Sequence, residues 1–299
     1  MFSSRSVRLA VKARIWNPTQ NEWKHAAQCI QIEEKDRIGK FIFKKDAKLA
    51  MAGRLLLRYA VSKMLNVPCR ILKFSRTDKG KPFLTSPIDM SSPRCDVSFN
   101  ISHQGDYVVL AAQRGSPIGV DIMKVEWPRN KPVPEFFSTM ERQLTLHEWS
   151  EVNKRKGDME QLKTFFRLWC LKESVVKAMG TGIGFQVNRL NFIFKTPELH
   201  SDKMTRDTSM EIDEEPAPEW KFQETMLEDH IVAVAVNVAS ELTPNPLTPN
   251  PLTDNEEVPS FQVLDIQEIL SHCEPLTGNC PDMDYWDLFS KRQEEPGIK

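Results

Sequence analysis

No run of apolar residues in this chain approaches the roughly 20 needed to cross a bilayer as a helix. The longest near the C-terminal end, Ile231 to Val236, has the length of a strand. A membrane partner is therefore not expected. Cysteine is sparse: six residues in 299, with no CxxC pair and no Cys/His cluster at zinc spacing. That pattern fits free thiols in a reducing compartment. The Walker form GxxxxGK[ST] is missing, as are GxSxG, HExxH and the kinase motif set, so P-loop nucleotide chemistry is not indicated. Gly180, Gly182 and Gly184 alternate, but no strand precedes them, so they fit a helix terminus and turn rather than a dinucleotide fingerprint.

What is present is ordinary globular composition, 40% hydrophobic and 27% charged, in a chain long enough for two modest domains or one large one. Net charge is only −1 but unevenly spread. Residues 1–81 carry 19 Lys and Arg against 6 Asp and Glu, a net of +13; residues 241–299 carry 3 against 12, a net of −9. The basic half favours an anionic partner. Nucleic acid is one such partner, although the aromatics are not interleaved with the charge in an RNA-binding pattern; a phosphorylated cofactor or an acidic protein fits as well, and a simply acidic, solvated tail is the plain alternative. The N-terminal stretch alternates strictly, with Val7, Leu9, Val11 and Ala13 on one face, which reads as a strand. Its basic, Ser-containing character leaves a mitochondrial targeting segment as the other reading.

Asp46 is placed to cap a helix with Leu49, Ala52, Leu56 and Tyr59 on its apolar face and Arg54 and Arg58 off it. A polar loop follows, Ser75-Arg-Thr-Asp-Lys-Gly-Lys-Pro82. Three strands are predicted at Asp96–Ile101, Tyr107–Gln113 and Pro117–Met123. Thr145 and Glu148 form a capping box for a helix starting at Leu146, and a long helix runs from about Met159 to Met179 before Gly180. Further strands are predicted at Leu190–Phe194 and Ile231–Val238, with Glu211–Glu219 between them as an exposed acidic loop. The repeat Leu242-Thr-Pro-Asn-Pro-Leu-Thr-Pro-Asn-Pro-Leu252 reads as a linker. The expected organisation is an N-terminal α+β half at 1–116, a C-terminal α+β half at 117–239 carrying a metal site, and a Pro-rich linker with an acidic extension at 240–299. That extension either docks on the body or moves freely. Strands cluster as neighbours rather than alternating with helices, which favours a pseudo-duplicated α+β architecture over a doubly wound sheet.

Three residues stand out chemically. Asp121 lies in an apolar strand, where a carboxylate needs a partner or a metal, and its oxygens suit Mg²⁺. Glu173 and Lys177 are four apart on the long helix and share a face with Trp169. Each also has a structural reading: a satisfied strand aspartate, and an ordinary surface pair.

Gly119-Val-Asp-Ile122 together with Phe166-Arg-Leu-Trp-Cys-Leu-Lys-Glu-Ser-Val-Val-Lys-Ala178 resembles the paired (V/I)G(V/I)D and (F/W)xxKE(A/S)xxK motifs of the 4′-phosphopantetheinyl transferases. Arg76-Thr-Asp-Lys-Gly-Lys-Pro82 and Phe99-Asn-Ile-Ser-His103 also match, in the right order, and the resemblance covers about residues 7–238. It implies the fold of the larger Sfp-type members, two similar α+β halves with the active site in the cleft between them. It implies that Arg37, Arg76, Thr77, Lys79, Gly80, Lys81 and the stretch Asn100, Ile101, Ser102 and His103 surround coenzyme A. Asp121 and Glu173 would hold Mg²⁺, with Glu173 also the base and Lys177 offsetting charge. Position 123, acidic in many relatives, is Met123 here, so a third metal ligand must come from elsewhere; Gln104 is the candidate, and water the alternative. The implied partners are apo acyl carrier domains, such as those of fatty-acid synthase and an aminoadipate-reducing enzyme. The implied protein is a cytosolic monomer. A magnesium-dependent nucleotide phosphotransferase would use similar groups, and a non-catalytic coenzyme A- or carrier-binding protein would keep the fold.

Overall fold

A 22-residue helix packed on a sheet recurs in each of two units of the chain. The structure, a computed structural model, describes residues 5–86, 96–129, 131–239, 259–276, 278 and 283–294. The linker predicted at 242–252 lies outside the described residues, as do Cys95 and Cys280.

The elements run β1 (Ser6–Val11), α1 (Gln20–Gln28), α2 (Ile32–Gly39), α3 (Lys44–Leu65), β2 (Lys73–Arg76), β3 (Pro82–Ser86), β4 (Val97–Gln104) and β5 (Tyr107–Arg114). They continue with β6 (Ile118–Lys124), α4 (Val133–Met140), α5 (Leu146–Asn153), α6 (Asp158–Met179), β7 (Leu190–Ile193), β8 (Ser209–Ile212), β9 (Glu215–Pro216), β10 (Trp220–Leu227) and β11 (His230–Asn237). The last are β12 (Gln262–Leu264), α7 (Ile266–His272) and α8 (Met283–Ser290).

The first unit comprises residues 1–97, 101–114 and 261–299, and the second 98–100 and 115–260. In the first, the strand order is β12-β1-β5-β4, with β12 parallel to β1 and β5 antiparallel to it. Strand β1 is central in this sheet, and its residues from Val7 to Val11 are all buried. Arg8 and Ala10, off the face that Val7 and Leu9 share, are as buried as those two. Arg8 donates to Ala112 O and Gln113 Oε1.

Helix α3 begins earlier than predicted. Phe43 is its N-cap, without a side-chain cap, and Asp46 sits in the first turn, where a negative charge complements the helix dipole. The helix is buried on every side, so Arg54 and Arg58 are inside rather than off the apolar face. Arg58 donates to Cys69 O and Leu72 O, fixing the chain that leaves the helix. Where one polar loop was expected, β2 and β3 form a hairpin and only residues 77–81 turn.

The described part of the acidic extension is docked on the first unit. Beyond the β12 pairing, Tyr59 Oη donates to Glu268 Oε1 at 2.6 Å, and Trp23 stacks on Phe289 at 3.8 Å between ring centroids. The four described cysteines, Cys29, Cys69, Cys170 and Cys273, are free and buried.

In the second unit an antiparallel sheet β10-β11-β6 lies under α6, and a smaller one, β7-β8-β9, stands beside it. Leu162, Phe165, Leu168, Leu171 and Val175 pack with Phe192, Phe222, Ile231, Ala233 and Ala235 in one core. Strand β10 was missed by the sequence reading. The expected acidic loop is instead β8, β9 and a tight turn, with Asp213 (φ 53°) and Glu214 (φ 69°) in the left-handed region.

Candidate active site

Strand β6 carries Gly119, Asp121 and Met123 on one face by strand periodicity. That face meets α6 at close range. A Cβ added at Gly119 would stand 2.0 Å from Ser174 O and 2.4 Å from Ala178 N. Glycine is therefore required at 119, and small neighbours complete the floor: Gly119 pairs with Ala235 and Asp121 with Ala233 on β11. The close approach delivers Lys177 Nζ to Asp121 Oδ1 at 2.5 Å. Asp121 is 4% exposed, while Glu173 and Lys177 are partly exposed. Burial raises the Glu173 pKa above the ordinary carboxylate range and the charge of Asp121 raises it further, with Lys177 opposing both. Two carboxylates and an ammonium thus act on one another within one unit.

Asn100 reaches the same strand. Its side chain is buried, and Oδ1 accepts the Val120 N–H at 3.0 Å, one residue before Asp121. Since β6 is an edge strand of its sheet, this bond occupies a donor that an edge would leave open. Expected as a cofactor contact, Asn100 has its carbonyl committed to holding β6.

Lys172, beside Glu173 in the motif, faces the other way. It is fully buried, 2.8 Å from Glu148 Oε2, and donates to Val187 O and Leu190 O. Glu148 also accepts from Thr145 N and Phe192 N, so the residue read as a capping box ties α5, α6 and β7 together. Lys172→Ala strands a buried carboxylate and is expected to cost about 3–5 kcal/mol. Urea unfolding measures this, and the folded variant should keep wild-type affinity for coenzyme A.

The remaining predicted residues belong to the first unit. At the tip of the β2–β3 hairpin Thr77 N donates to Lys81 O, Lys81 N to Thr77 Oγ1, and Gly80 N to Thr77 O, with Gly80 at φ 81°. The Thr77 hydroxyl therefore builds the turn. Lys79 is exposed, while Lys81 is partly buried, which lowers its pKa. Arg76 donates to Gly80 O and to Glu34, and Arg37 also donates to Glu34. Arg54 joins them from α3. Neither Glu34 nor Arg54 was singled out in the sequence. The i, i+3 spacing of Glu34 and Arg37 was the available signal for one; no local signal marks Arg54. Along β4, Ser102 is buried, Ile101 packs on Gly53, His103 is exposed and Gln104 is half-buried, so these neighbours alternate in direction.

Two family models match: 4′-phosphopantetheinyl transferase, N-terminal, over residues 14–115, and the 4′-phosphopantetheinyl transferase superfamily over residues 117–235. The chain belongs to the 4′-phosphopantetheinyl transferase superfamily. It is 39% identical to the L-aminoadipate-semialdehyde dehydrogenase-phosphopantetheinyl transferase of Homo sapiens, across 98% of this chain and 94% of that protein. It is 34% identical to the phosphopantetheinyl transferase of a Thraustochytrium species, across 76% and 77%. Similarity also reaches the 4′-phosphopantetheinyl transferase gsp of Aneurinibacillus migulanus, at 31% identity across 53% and 60%. As a phosphopantetheinyl transferase it is an enzyme that uses coenzyme A as substrate, and its two α+β units fit the two-half architecture of the family.

The donor set of this transferase suits a hard divalent cation. Asp121 and Glu173 present oxygen ligands and their mutual repulsion is already felt by Glu173, which a dication would relieve. Met123 packs against the apolar core of its unit, and its thioether is a poor partner for such an ion.

Proposed function

We propose that this enzyme transfers the 4′-phosphopantetheine moiety of coenzyme A to a serine of an apo acyl carrier domain, with Mg²⁺, releasing adenosine 3′,5′-bisphosphate. The observation that carries this reading is the approach of α6 to β6 at Gly119, which sets Lys177 on Asp121 and couples Glu173 to both. Arg37, Arg76, Lys79 and Lys81, with Ile101, Ser102 and His103, take the phosphates of coenzyme A. Asp121 and Glu173 hold the metal, which when bound polarises the diphosphate and offsets its charge. Glu173 accepts the serine proton. The serine oxygen then bonds to the phosphorus on the pantetheine side, and the bridging P–O bond breaks. Lys177 offsets charge on the departing adenosine bisphosphate. The name of the human relative points to an aminoadipate-semialdehyde dehydrogenase carrier domain as one protein substrate; fatty-acid synthase carrier domains are the other substrate this reading includes. In this reading the enzyme works as a monomer in the cytosol.

The test is to incubate the protein with apo carrier domains, coenzyme A and Mg²⁺ and weigh the carrier. A gain of one phosphopantetheine arm is expected. No gain across several carriers overturns the reading, and turnover of ATP without coenzyme A would point to a nucleotide phosphotransferase instead. Because Glu173 acts as its anion, kcat should fall at pH low enough to protonate it and level off above, and Glu173→Gln should lose that dependence. A low-pH fall in kcat that persists unchanged in Glu173→Gln contradicts its role as base.

A further inference from the structure

Three guanidinium groups converge on Glu34. Arg37 Nε donates to Oε2 at 2.8 Å. Arg76 donates to Oε1 through Nε at 2.8 Å and Nη2 at 2.5 Å. Arg54 Nη1 stands 3.6 Å from that same oxygen. Glu34 and Arg37 come from α2, Arg54 from α3 and Arg76 from the end of β2, so three elements of the first unit meet at one carboxylate.

Burial divides the cluster. The side chains of Arg54 and Glu34 are 11% and 17% exposed, against 39% and 34% for Arg37 and Arg76. Neither terminal nitrogen of Arg37 has a hydrogen-bond partner among the described residues. The cluster therefore has a buried root and two outward groups with donor capacity to spare. Its formal charge, three cations and one anion, is +2. A phosphate group carrying about −1.5 to −2 would balance it.

The electrostatics run in the same sense. Burial lowers the Arg54 pKa to about 10, and Glu34 works against that fall. Burial by itself would raise the Glu34 pKa, but Arg54, Arg76 and Arg37 together outweigh it and carry it below the ordinary value. Glu34 is thus ionised whenever the enzyme works. Without it, three arginines would repel one another and Arg54 would be buried beside no counter-charge from this group.

We propose that Glu34 is a positioning residue, whose carboxylate holds Arg37, Arg54 and Arg76 as one preorganised fork for a phosphate of coenzyme A. Arg54 is the root of the fork, and Arg37 and Arg76 are its tines. The inference rests on the proposed use of coenzyme A. Its energetic content is preorganisation: ordering two long side chains before the ligand arrives removes a cost that binding would otherwise carry.

The test compares wild type, Glu34→Gln and Glu34→Ala in the full-length protein. Calorimetry gives Kd for coenzyme A, and steady-state assays give KM for coenzyme A, KM for the carrier and kcat. For Glu34→Ala, Kd and KM for coenzyme A should rise about tenfold, with Glu34→Gln between it and wild type. Saturated kcat and the carrier KM should stay within about twofold, a split that general damage to the fold would not produce. Thermal unfolding checks each variant, and if Glu34→Ala does not fold, Glu34→Gln decides. Unchanged coenzyme A affinity in a folded variant overturns the proposal and makes Glu34 a structural counter-ion only. Tighter binding also overturns it and makes Glu34 a group that repels the ligand. A wild-type protein that fails to bind coenzyme A refutes the proposed function itself, a result distinct from normal wild-type binding with unaffected variants.

Discussion

Glu173→Gln is expected to lower transfer about 10³-fold, the scale of losing a general base, and to make the metal-free protein more stable at pH 7. Both effects come from one environment. The Glu173 carboxyl is partly buried and lies within reach of the charge of Asp121, so its folded-state pKa is raised, with Lys177 only partly compensating. A raised pKa means that the folded protein holds the proton more tightly than the unfolded chain does. The associated stability is fully present below the unfolded-state pKa and is lost as pH rises through the folded-state pKa. At neutral pH the ionised carboxylate is therefore a cost, and glutamine, which has nearly the same shape, removes it. The stability difference between variant and wild type should open between those two pKa values and stay constant above. Thermal unfolding across pH without Mg²⁺ reads it, alongside the carrier mass assay. A variant that transfers at the wild-type rate removes Glu173 from the chemistry. A variant no more stable than wild type at pH 7 removes the electrostatic argument while leaving the catalytic one standing.

Gly119→Ala is expected to abolish transfer and to destabilise the protein by 3 kcal/mol or more, about the upper end for overpacking a core. The added methyl would stand 2.0 Å from Ser174 O and 2.4 Å from Ala178 N, which are backbone atoms of α6 rather than the end of a flexible side chain. Helix and strand must separate, and Lys177 reaches Asp121 only because they are close. Val120→Ala, next to Asp121 but on the other face of β6 from Gly119, deletes buried volume without moving α6 off its seat. It should lose stability yet keep most of its transfer. Denaturant unfolding and turnover measured on both variants separate the two effects. Gly119→Ala with wild-type turnover would show that the close approach is not needed to assemble the site.

Local patterns in the chain anticipated much of this geometry. The capping box at Thr145 and Glu148, the end of α6 at Gly180 and the run of β6 all stand where short-range signals put them. Those signals depend on neighbours a few residues apart. The misplaced features depend on distant ones. Arg54 was set outside the apolar face of its helix because helical periodicity cannot see Glu34, twenty residues earlier on another element. Alternation picked out Val7, Leu9 and Val11 as one face of β1 but could not show that Arg8 between them is buried too, bonded to Ala112 O and Gln113 Oε1 far along the chain. Strand β10 escaped notice because its polar residues, Gln223, Glu224 and Thr225, are buried by long-range bonds such as Arg167 to Glu224.

The sequence by itself determined the family and marked Asp121, Glu173 and Lys177 as the candidates for its chemistry, because paired motifs and i, i+4 spacing are written in the order of the residues. The tertiary structure alone decided how the motif residues divide their labour. Lys172 and Glu173 are adjacent in the chain, yet helical rotation sends one into a dry ion pair with Glu148 and the other toward Asp121. Asn100 became a clasp for β6 and Glu34 the centre of three arginines for the same reason. Which partner a polar side chain finds depends on the packing of elements far apart in the chain, and a buried polar group must find one.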